Sequence, residues 1–230
     1  MRIMKAIFTK QAKDMLGNPA VLVMFIVFPA VALIMTLFVP PNDYIQPNMF
    51  VTMMAAIFAG MGLVTSMSSI ISEDIGRKSL RFLIIAGVKP HQYLLGTGGF
   101  LLFAGAVTSV IFALIGAFSV TETMKFLAVM ISGTAASLIL GAVIAMFSKN
   151  QQAAASLSMP VSVIVGFTPM IANFNETVKK IAGVLYTQQI NVIVNDFSAG
   201  LLKPMLVIAA NIVVLTALFV LAYRKKGLKG

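Results

Sequence analysis

The chain is 230 residues long, of which 59% are hydrophobic and 10% are charged. Soluble domains contain about 25% charged residues, so this composition excludes an ordinary soluble domain, and its apolar content excludes a disordered chain. The absence of cysteine excludes disulfides, thiolate metal sites and cysteine nucleophiles. The formal net charge of +10 is interpreted as a membrane-topology signal and an attraction to anionic lipid, not as a sign of nucleic-acid binding.

Six uncharged stretches are long enough to cross a bilayer, which takes about 20 apolar residues in a helix. They predict an all-α integral membrane protein whose domain of residues 20–230 has six spans, near residues 20–39, 49–71, 94–120, 126–148, 153–172 and 205–223. Continuous apolar runs favour helices over the alternating strands of a membrane barrel. Span 5 contains Pro160 and Pro169, which require neighbouring groups to satisfy the carbonyls that proline leaves without a partner.

Basic residues are distributed unevenly between the two sides that six spans define. If the N-terminus lies inside, only four of the seventeen Lys and Arg residues lie outside, namely Lys125, Lys179, Lys180 and Lys203. Cytoplasmic loops are enriched in Lys and Arg. We therefore expect a multi-pass plasma-membrane protein with both termini in the cytoplasm. The first apolar run is longer than a signal-peptide core and lacks a cleavage site before Pro40, so it is interpreted as a span.

Residues 1–19 have an amphipathic pattern of helical period. The apolar positions are Ile3, Met4, Ile7, Phe8, Met15 and Leu16, and the basic positions are Arg2, Lys5, Lys10 and Lys13. This pattern predicts a helix that lies on the cytoplasmic leaflet and is broken by Gly17, Asn18 and Pro19. The helix either anchors the chain passively in lipid or also contacts a partner.

The most informative stretch, residues 72–90, joins spans 2 and 3. Ser72 is a typical helix cap, and Glu73 and Asp74 would suit the positive end of a helix dipole. Gly87 and Pro90 are typical stop signals. We therefore predict a short amphipathic cytoplasmic helix with acidic residues first and basic residues afterwards. Its apolar residues can lie against the membrane or a partner: Phe82, Leu83, Ile84 and Ile85.

Residues 173–203 are too polar to cross the membrane, although residues 181–195 carry no charge. This combination predicts an external re-entrant or interfacial hairpin between spans 5 and 6. Its polar residues either face a substrate exit or merely shield the helix ends; they are Tyr186, Gln188, Gln189, Asn191, Asn195 and Asp196.

Catalytic and ion-relay chemistry is not expected. All seven acidic residues fall at span ends or in loops, and the only histidine is His91 at a predicted boundary. Proton-driven carriers usually need ionisable groups inside the membrane. The sequence around Gly76, Arg77, Lys78 and Ser79 lacks the glycine spacing of a phosphate loop. The chain is therefore predicted to be no enzyme and to bind no cofactor or metal itself.

Small residues recur at four-residue spacing on two spans. Gly105 and Ser109 begin one ridge in span 3, and Gly133, Ser137 and Gly141 form another in span 4. Such ridges let helices approach closely. They either join spans 3 and 4, which is the favoured interpretation, or join two protomers. The sixteen methionines and seventeen phenylalanines suit a soft lining for apolar cargo, or else simply face lipid.

The order of these elements resembles the type-2 ATP-binding-cassette (ABC) exporter permease family. The local resemblance is carried by Glu73, Gly76, Leu80 with Leu83, residues 88–90, and Gly96. The family commonly has threonine after the glycine and proline before the valine, whereas this chain has Arg77 and the order Val88, Lys89, Pro90.

The resemblance implies that two permease subunits, identical or different, pair with two copies of a separate ATPase that binds ATP and magnesium. The helix between spans 2 and 3 would transmit nucleotide-driven closure to the spans, and the substrate would be hydrophobic or amphipathic. By position, Glu73, Asp74, Arg77, Lys78 and Arg81 would contact the ATPase, and Phe82 and Leu83 would anchor the helix. The alternatives are a self-sufficient channel or secondary transporter, and a membrane scaffold or immunity protein that transports nothing.

Overall fold

The structure, a computed structural model, describes residues 2–39 and 48–226. These residues form eleven α-helices and one π-helical turn, with no β-strand among them. The helices are α1 (Arg2–Gly17), α2 (Pro19–Phe38), α3 (Met49–Ile57), α4 (Leu63–Gly76), α5 (Ser79–Ile85), α6 (Pro90–Ile115), α7 (Val120–Met146), α8 (Gln151–Ala172), α9 (Glu176–Ala182), α10 (Tyr186–Asn195) and α11 (Leu202–Lys226).

Six helical stretches are long and apolar enough to cross a membrane: Val21–Phe38, Met49–Gly76, His91–Ile115, Val120–Met146, Gln151–Ala172 and Leu202–Arg224. The predictions of an all-α fold and of six spans are confirmed, and the chain is a multi-pass membrane protein. We number these stretches as spans 1 to 6.

The predicted boundaries of spans 2, 3 and 4 are wrong by several residues, and span 2 continues to Gly76 instead of ending near residue 71. Helix α6, which contains span 3, begins at Pro90 because proline fits the first helical turn, where its missing N–H needs no partner, and the helix ends at Ile115. Span 4 begins at Val120 because Ser119 and Glu122 form a capping box. The Ser119 N–H donates to Glu122 Oε2 at 2.8 Å, and the Glu122 N–H donates to Ser119 Oγ at 3.4 Å.

Span 2 is the most buried of the six: 72% of the residues in an 18-residue apolar stretch of it are buried, against 11% in the corresponding stretch of span 6. Its helices α3 and α4 are joined by a π-helical turn at Phe58–Gly62. Within this turn, a Cβ added to Gly60 would lie 2.5 Å from the Cα of Gly166. Glycine at both positions therefore allows spans 2 and 5 to cross with their backbones in contact.

Near Pro169 in span 5, neighbouring side chains satisfy the backbone carbonyls, as the sequence requires. Proline at this position leaves the carbonyl of Val165 without its helical N–H partner. The Oγ1 of Thr187 donates to that carbonyl at 2.7 Å, and Nδ2 of Asn191 donates to the carbonyl of Pro169 at 3.0 Å. Helix α10 is therefore held to span 5 through the carbonyl that the proline leaves free and through the carbonyl of Pro169 in the last turn of the helix.

The small-residue ridge of span 4 packs within the chain, and it packs on span 2 instead of span 3. A Cβ on Gly141 would lie 2.6 Å from the carbonyl oxygen of Val64 in α4, and Gly133 faces the ring of Tyr186. Between them, Ser137 Oγ donates to the carbonyl of Ala59 at 2.6 Å and is hydrogen-bonded to the Tyr186 hydroxyl at 2.9 Å.

The ridge of span 3 makes a looser contact. A Cβ on Gly105 would lie 3.1 Å from the Cγ2 of Thr134 in span 4, while Ser109 Oγ donates to the carbonyl of Gly105 in its own helix at 2.7 Å. Spans 3 and 4 therefore do meet at Gly105, but the tightest approach of span 4 is to span 2.

Candidate functional site

The stretch between spans 2 and 3 folds differently from its prediction. Span 2 continues as α4 through Gly76, and a separate short helix, α5, begins at Ser79. Glu73 and Asp74 therefore lie in the last turn of α4 and do not open a helix, and Ser72 is buried without capping one. The acidic residues sit at the negative end of the helix dipole, so other groups must stabilise them.

Asp74 is stabilised by four side chains from three other parts of the chain. Its Oδ1 accepts from Lys10 Nζ at 2.8 Å and from Ser79 Oγ at 2.6 Å. Its Oδ2 accepts from the Tyr93 hydroxyl at 2.6 Å and from Gln11 Nε2 at 3.4 Å. The carboxylate thus ties α1, α5 and the start of span 3 to the end of span 2. We call these five residues the Asp74 network.

The Asp74 network is buried, which limits the groups that the Asp74 carboxylate can contact. Asp74 is 6% exposed and Tyr93 is 0% exposed, so the carboxylate is available to no large partner. The prediction that Asp74 contacts an ATPase therefore does not fit its position, because its hydrogen-bonding capacity is used inside the chain. Burial lowers the pKa of Lys10, but hydrogen bonds and charge from Asp74 and Asp14 outweigh this effect and raise that pKa above its ordinary value.

Glu73 forms a second connection beside this network. Its Oε2 accepts from Asn18 Nδ2 at 2.9 Å, and its Oε1 pairs with the guanidinium of Arg77 at 2.7 Å. Asn18 also caps α2, since its Oδ1 accepts from the Val21 N–H. The residue that breaks α1 from span 1 is therefore held by the end of span 2.

Helix α1 packs against span 3 in addition to any contact with lipid. Ile7 is 3% exposed, and a Cβ on Gly96 would lie 2.8 Å from the Cβ of Ile7. Phe8 meets Phe100 edge to face, with ring centroids 5.3 Å apart. On the opposite face, Lys5 and Lys13 are exposed.

Beyond the buried network, the α4–α5 junction presents an exposed surface of basic and apolar residues. We call it the α4–α5 surface; its members are Arg77, Lys78, Phe82, Ile84 and Ile85. Phe82 is 69% exposed, so it does not hold α5 to the rest of the chain, and its predicted anchoring role would need lipid or a partner. Leu80 is 1% exposed and anchors the helix together with Leu83, which packs on the core. The side chains of Arg2, Met4 and Arg81 lie outside the described part of the structure.

The turn geometry around α5 holds this surface in place. Lys78 adopts a left-handed backbone conformation with φ of 59°, which separates α4 from α5. The predicted stop at Gly87 is confirmed, since Gly87 has φ of +86° and the Val88 N–H donates to the Leu83 carbonyl at 2.9 Å. Pro90, predicted to end α5, instead begins α6.

Reasoning from sequence missed several residues of the site. Lys10 belongs to the basic face of the predicted amphipathic helix, Gln11 carries no signal of its own, and Tyr93 lies inside an apolar run. An acidic residue at the end of an apolar span, followed by serine five positions later, indicates a need for partners. Nothing in the linear pattern indicates which residues of α1 and span 3 will supply them.

Two cavities lie at opposite ends of span 2. One, of about 330 Å³, is bounded by spans 1, 2 and 5; its polar residues are Thr65, Ser66, Ser69, Gln151 and Gln152. The other, of about 360 Å³, lies beside α10; its polar residues are Asn173, Lys179, Gln188, Asn191 and Asn195. The cavity bounded by spans 1, 2 and 5 is lined by uncharged polar and apolar residues. Lys179 is the one charged residue among those that line the cavity beside α10.

The cavity beside α10 is lined by three of the six polar residues predicted in the external hairpin, namely Gln188, Asn191 and Asn195. Gln188 and Asn191 are 4% and 2% exposed, and Asn195 is exposed at the same end of α10. Tyr186 and Gln189 instead make contacts inside the chain, because Tyr186 meets Ser137 and Gln189 Nε2 donates to the carbonyl of Gly183 at 2.9 Å. Asp196 is exposed beyond the helix.

The chain is a multi-pass helical membrane protein. The buried carboxylate of Asp74 joins the end of span 2 to the start of span 3. The amino-acid sequence matches no protein-family model and no curated protein.

Proposed function

We propose that the chain is the membrane-spanning permease subunit of an ABC exporter. In this proposal, a separate ATPase binds ATP and magnesium, docks on the α4–α5 surface, and drives export of a hydrophobic or amphipathic substrate. The chain itself has no catalytic role and binds no cofactor. It lies in the plasma membrane with both termini in the cytoplasm, pairs with a second permease subunit, and has no nucleic-acid partner.

The observation that carries the proposal is the combination of the exposed α4–α5 surface with the buried Asp74 network. A partner pushing on Arg77, Lys78 and Phe82 would act on α5 and the end of span 2. The Asp74 carboxylate would pass that movement to α1 through Lys10 and to span 3 through Tyr93. Rigid elements joined by hydrogen bonds can move together in this way. Asp74 is therefore assigned a transmitting role, and Arg77 and Lys78 the contact with the ATPase.

The cavity bounded by spans 1, 2 and 5 supports the substrate class. Its lining includes Val21, Met24 and Ala155 alongside uncharged polar groups. A strongly charged solute would find no counter-charge in this lining, whereas an amphipathic solute could bury apolar surface and hydrogen-bond to Thr65 or Gln152.

Co-purification tests the partner. The tagged full chain is extracted from native membranes in mild detergent, and its partners are identified by mass spectrometry. We expect an ATPase with a complete phosphate loop. The double variant Arg77→Glu/Lys78→Glu should lose this partner and its ATP-dependent transport while still inserting into the membrane, because it reverses two exposed charges of the proposed docking surface.

The matched control is Lys179→Glu/Lys180→Glu, which reverses two exposed charges in α9 at the other end of the bundle. It should keep the ATPase. The proposal is contradicted if wild-type chain recovers no ATPase, if both double variants behave alike, or if purified chain alone moves solute across liposomes at full rate. The last result would favour a channel or secondary transporter, and the first a scaffold.

A further inference from the structure

A groove opens between spans 3 and 6, both of which pack against span 4. Its volume is about 410 Å³, and its walls come from α4, α6, α7 and α11. They are apolar except for Thr216, and they include Leu95 and Phe219. Because the groove lies among membrane-spanning helices, its occupant must itself be apolar where it meets these walls.

Two adjacent glycines in span 3 keep the groove open. A Cβ added to Gly99 would have no atom of another helix within 4 Å, and one added to Gly98 would meet only the terminal methyl of Met67 from another helix, at 3.9 Å. By contrast, Gly60 and Gly141 are tightly packed, because backbone atoms of a neighbouring helix lie against them. Gly98 and Gly99 instead leave space that a flexible chain can fill.

The two helices that flank the groove carry basic residues at the same end. Leu95 lies six residues after Lys89 and Phe219 lies five residues before Arg224, so the two basic residues are about 9 Å and about 7.5 Å along their helices from the groove wall. Lys89 and Arg224 are both exposed, and neither forms an ion pair among the described residues.

An aromatic pair connects this basic end to the groove. The ring of Tyr223, next to Arg224, stacks on that of Phe219 with centroids 6.1 Å apart and planes at 28°. Tyrosine is enriched where a membrane helix meets the headgroup region. No acidic residue occurs in residues 86–96 or 216–230 to neutralise the basic pair. The groove is therefore apolar along its length and positive at one end.

We propose that the groove binds an acyl chain of an anionic phospholipid, whose phosphate lies between Lys89 and Arg224. The apolar walls fix one chain beside Gly98 and Gly99, and the basic pair selects the negative headgroup. Basic sites between membrane helices are favourable positions for anionic lipid, and each basic residue near the surface favours it about fivefold. This site is independent of the ATPase and of transport.

Native mass spectrometry tests the site with two probes that differ in headgroup alone, phosphatidylglycerol and phosphatidylcholine with the same acyl chains. The detergent-purified full chain is titrated with each lipid, and the bound lipids are counted as the activation energy is raised. Wild type should retain one phosphatidylglycerol at energies that remove phosphatidylcholine, with a preference of about tenfold or more.

Filling the groove tests the acyl-chain part. Gly99→Leu should abolish the retained lipid, because the leucine side chain occupies the open space. The control Ala106→Leu introduces the same side chain at a partly exposed position on the same helix, outside the groove lining, and should retain the lipid. If Gly99→Leu fails to fold, Thr216→Phe fills the groove from the opposite wall and provides the same test.

Removing the charges tests the headgroup part. Lys89→Gln/Arg224→Gln should reduce the preference for phosphatidylglycerol to about one, whereas Lys179→Gln/Lys180→Gln should leave it unchanged. Equal retention of the two lipids by wild type overturns the proposal, as does unchanged retention by a correctly folded groove-filling variant. A groove-filling variant that loses a second copy of the chain, with its lipid count unchanged, would identify a protomer interface and also overturn it.

Discussion

The two ends of the helix bundle are held by different chemistry. Where α4 meets α1 and α5, one buried carboxylate accepts hydrogen bonds from a lysine, a glutamine, a serine and a tyrosine. At the other end, α10 is held by neutral groups: Thr187 donates to the Val165 carbonyl, and Asn191 donates to the carbonyl of Pro169 and to Asn173 Oδ1.

This difference indicates how each end responds to a change. A buried charge concentrates the interaction energy in one atom group, so its removal leaves several partners unsatisfied at once. Neutral hydrogen bonds distribute the energy over separate pairs, each worth about 1 kcal/mol. Removing the Asp74 carboxylate should therefore lower the free energy of unfolding in one large step. Removing a single hydrogen bond of α10 should lower it only slightly.

The largest effect is expected from Asp74→Ala. This change leaves the buried Tyr93 hydroxyl without its acceptor and leaves Lys10 paired only with the more exposed Asp14. It should lower the free energy of unfolding by about 3 kcal/mol. Detergent-to-SDS titration in mixed micelles measures that quantity. Glu176→Ala provides the matched control, since the pair that Glu176 forms with Lys179 is exposed and worth little. Equal losses in the two variants would contradict the importance of the network.

A smaller loss is expected where span 4 crosses span 2. Gly141→Ala places a Cβ 2.6 Å from the Val64 carbonyl oxygen and 2.8 Å from the Cβ of Met67, so the helices must separate. The expected destabilisation is about 2 kcal/mol. Gly99→Ala adds the same methyl group into open space and should be neutral or stabilising. Identical unfolding curves for the two variants would show that the crossing is not tight.

The α10 end can be tested by a double-mutant cycle. Thr187→Val removes the donor to the Val165 carbonyl and should cost about 1 kcal/mol. Pro169→Ala restores a backbone N–H that can reach that same carbonyl, so Thr187→Val should cost less in the Pro169→Ala background. The coupling energy from four unfolding titrations measures this difference. Strict additivity would mean that the threonine does not serve the proline-freed carbonyl.

The smallest effect concerns pH. The pKa of Lys10 is raised in the folded chain, so its contribution to stability is complete below its unfolded pKa, about 10.5, and is lost as the pH rises through the higher folded value. The difference in melting temperature between wild type and Lys10→Met should stay constant from about pH 7 to 9.5 and shrink above about pH 10.5. A difference that grows in alkali would have the wrong sign.

Much of the fold can be read from the sequence because a bilayer imposes a length and a composition on each span. The six spans, the stop at Gly87 and the need for donors near Pro169 all follow from local rules. The start of span 4 could also have been found, since Ser119 and Glu122 have the spacing of a capping box.

The candidate site was less predictable because its geometry depends on long-range packing. Asp74 is joined to Lys10 and Tyr93, which lie 64 and 19 residues away in the sequence. The charge pattern of residues 72–78 suits a helix that starts there as well as one that ends there, and burial of the preceding span favours the continuation. Likewise, the contact between Gly60 and Gly166 depends on how spans 2 and 5 cross, which the sequence of neither span reveals alone.

The π-helical turn at Phe58–Gly62 has a consequence for the far end of span 2. A wider turn contains about one residue more than an α-helical turn, and each residue advances an α-helix by about 100°. If Phe58–Gly62 rewound into regular α-helix, every side chain of α4 would swing by roughly that angle relative to α3. The Asp74 carboxylate would then point away from Lys10 and Tyr93, so the winding of five residues deep in the bundle determines whether three distant helices stay joined.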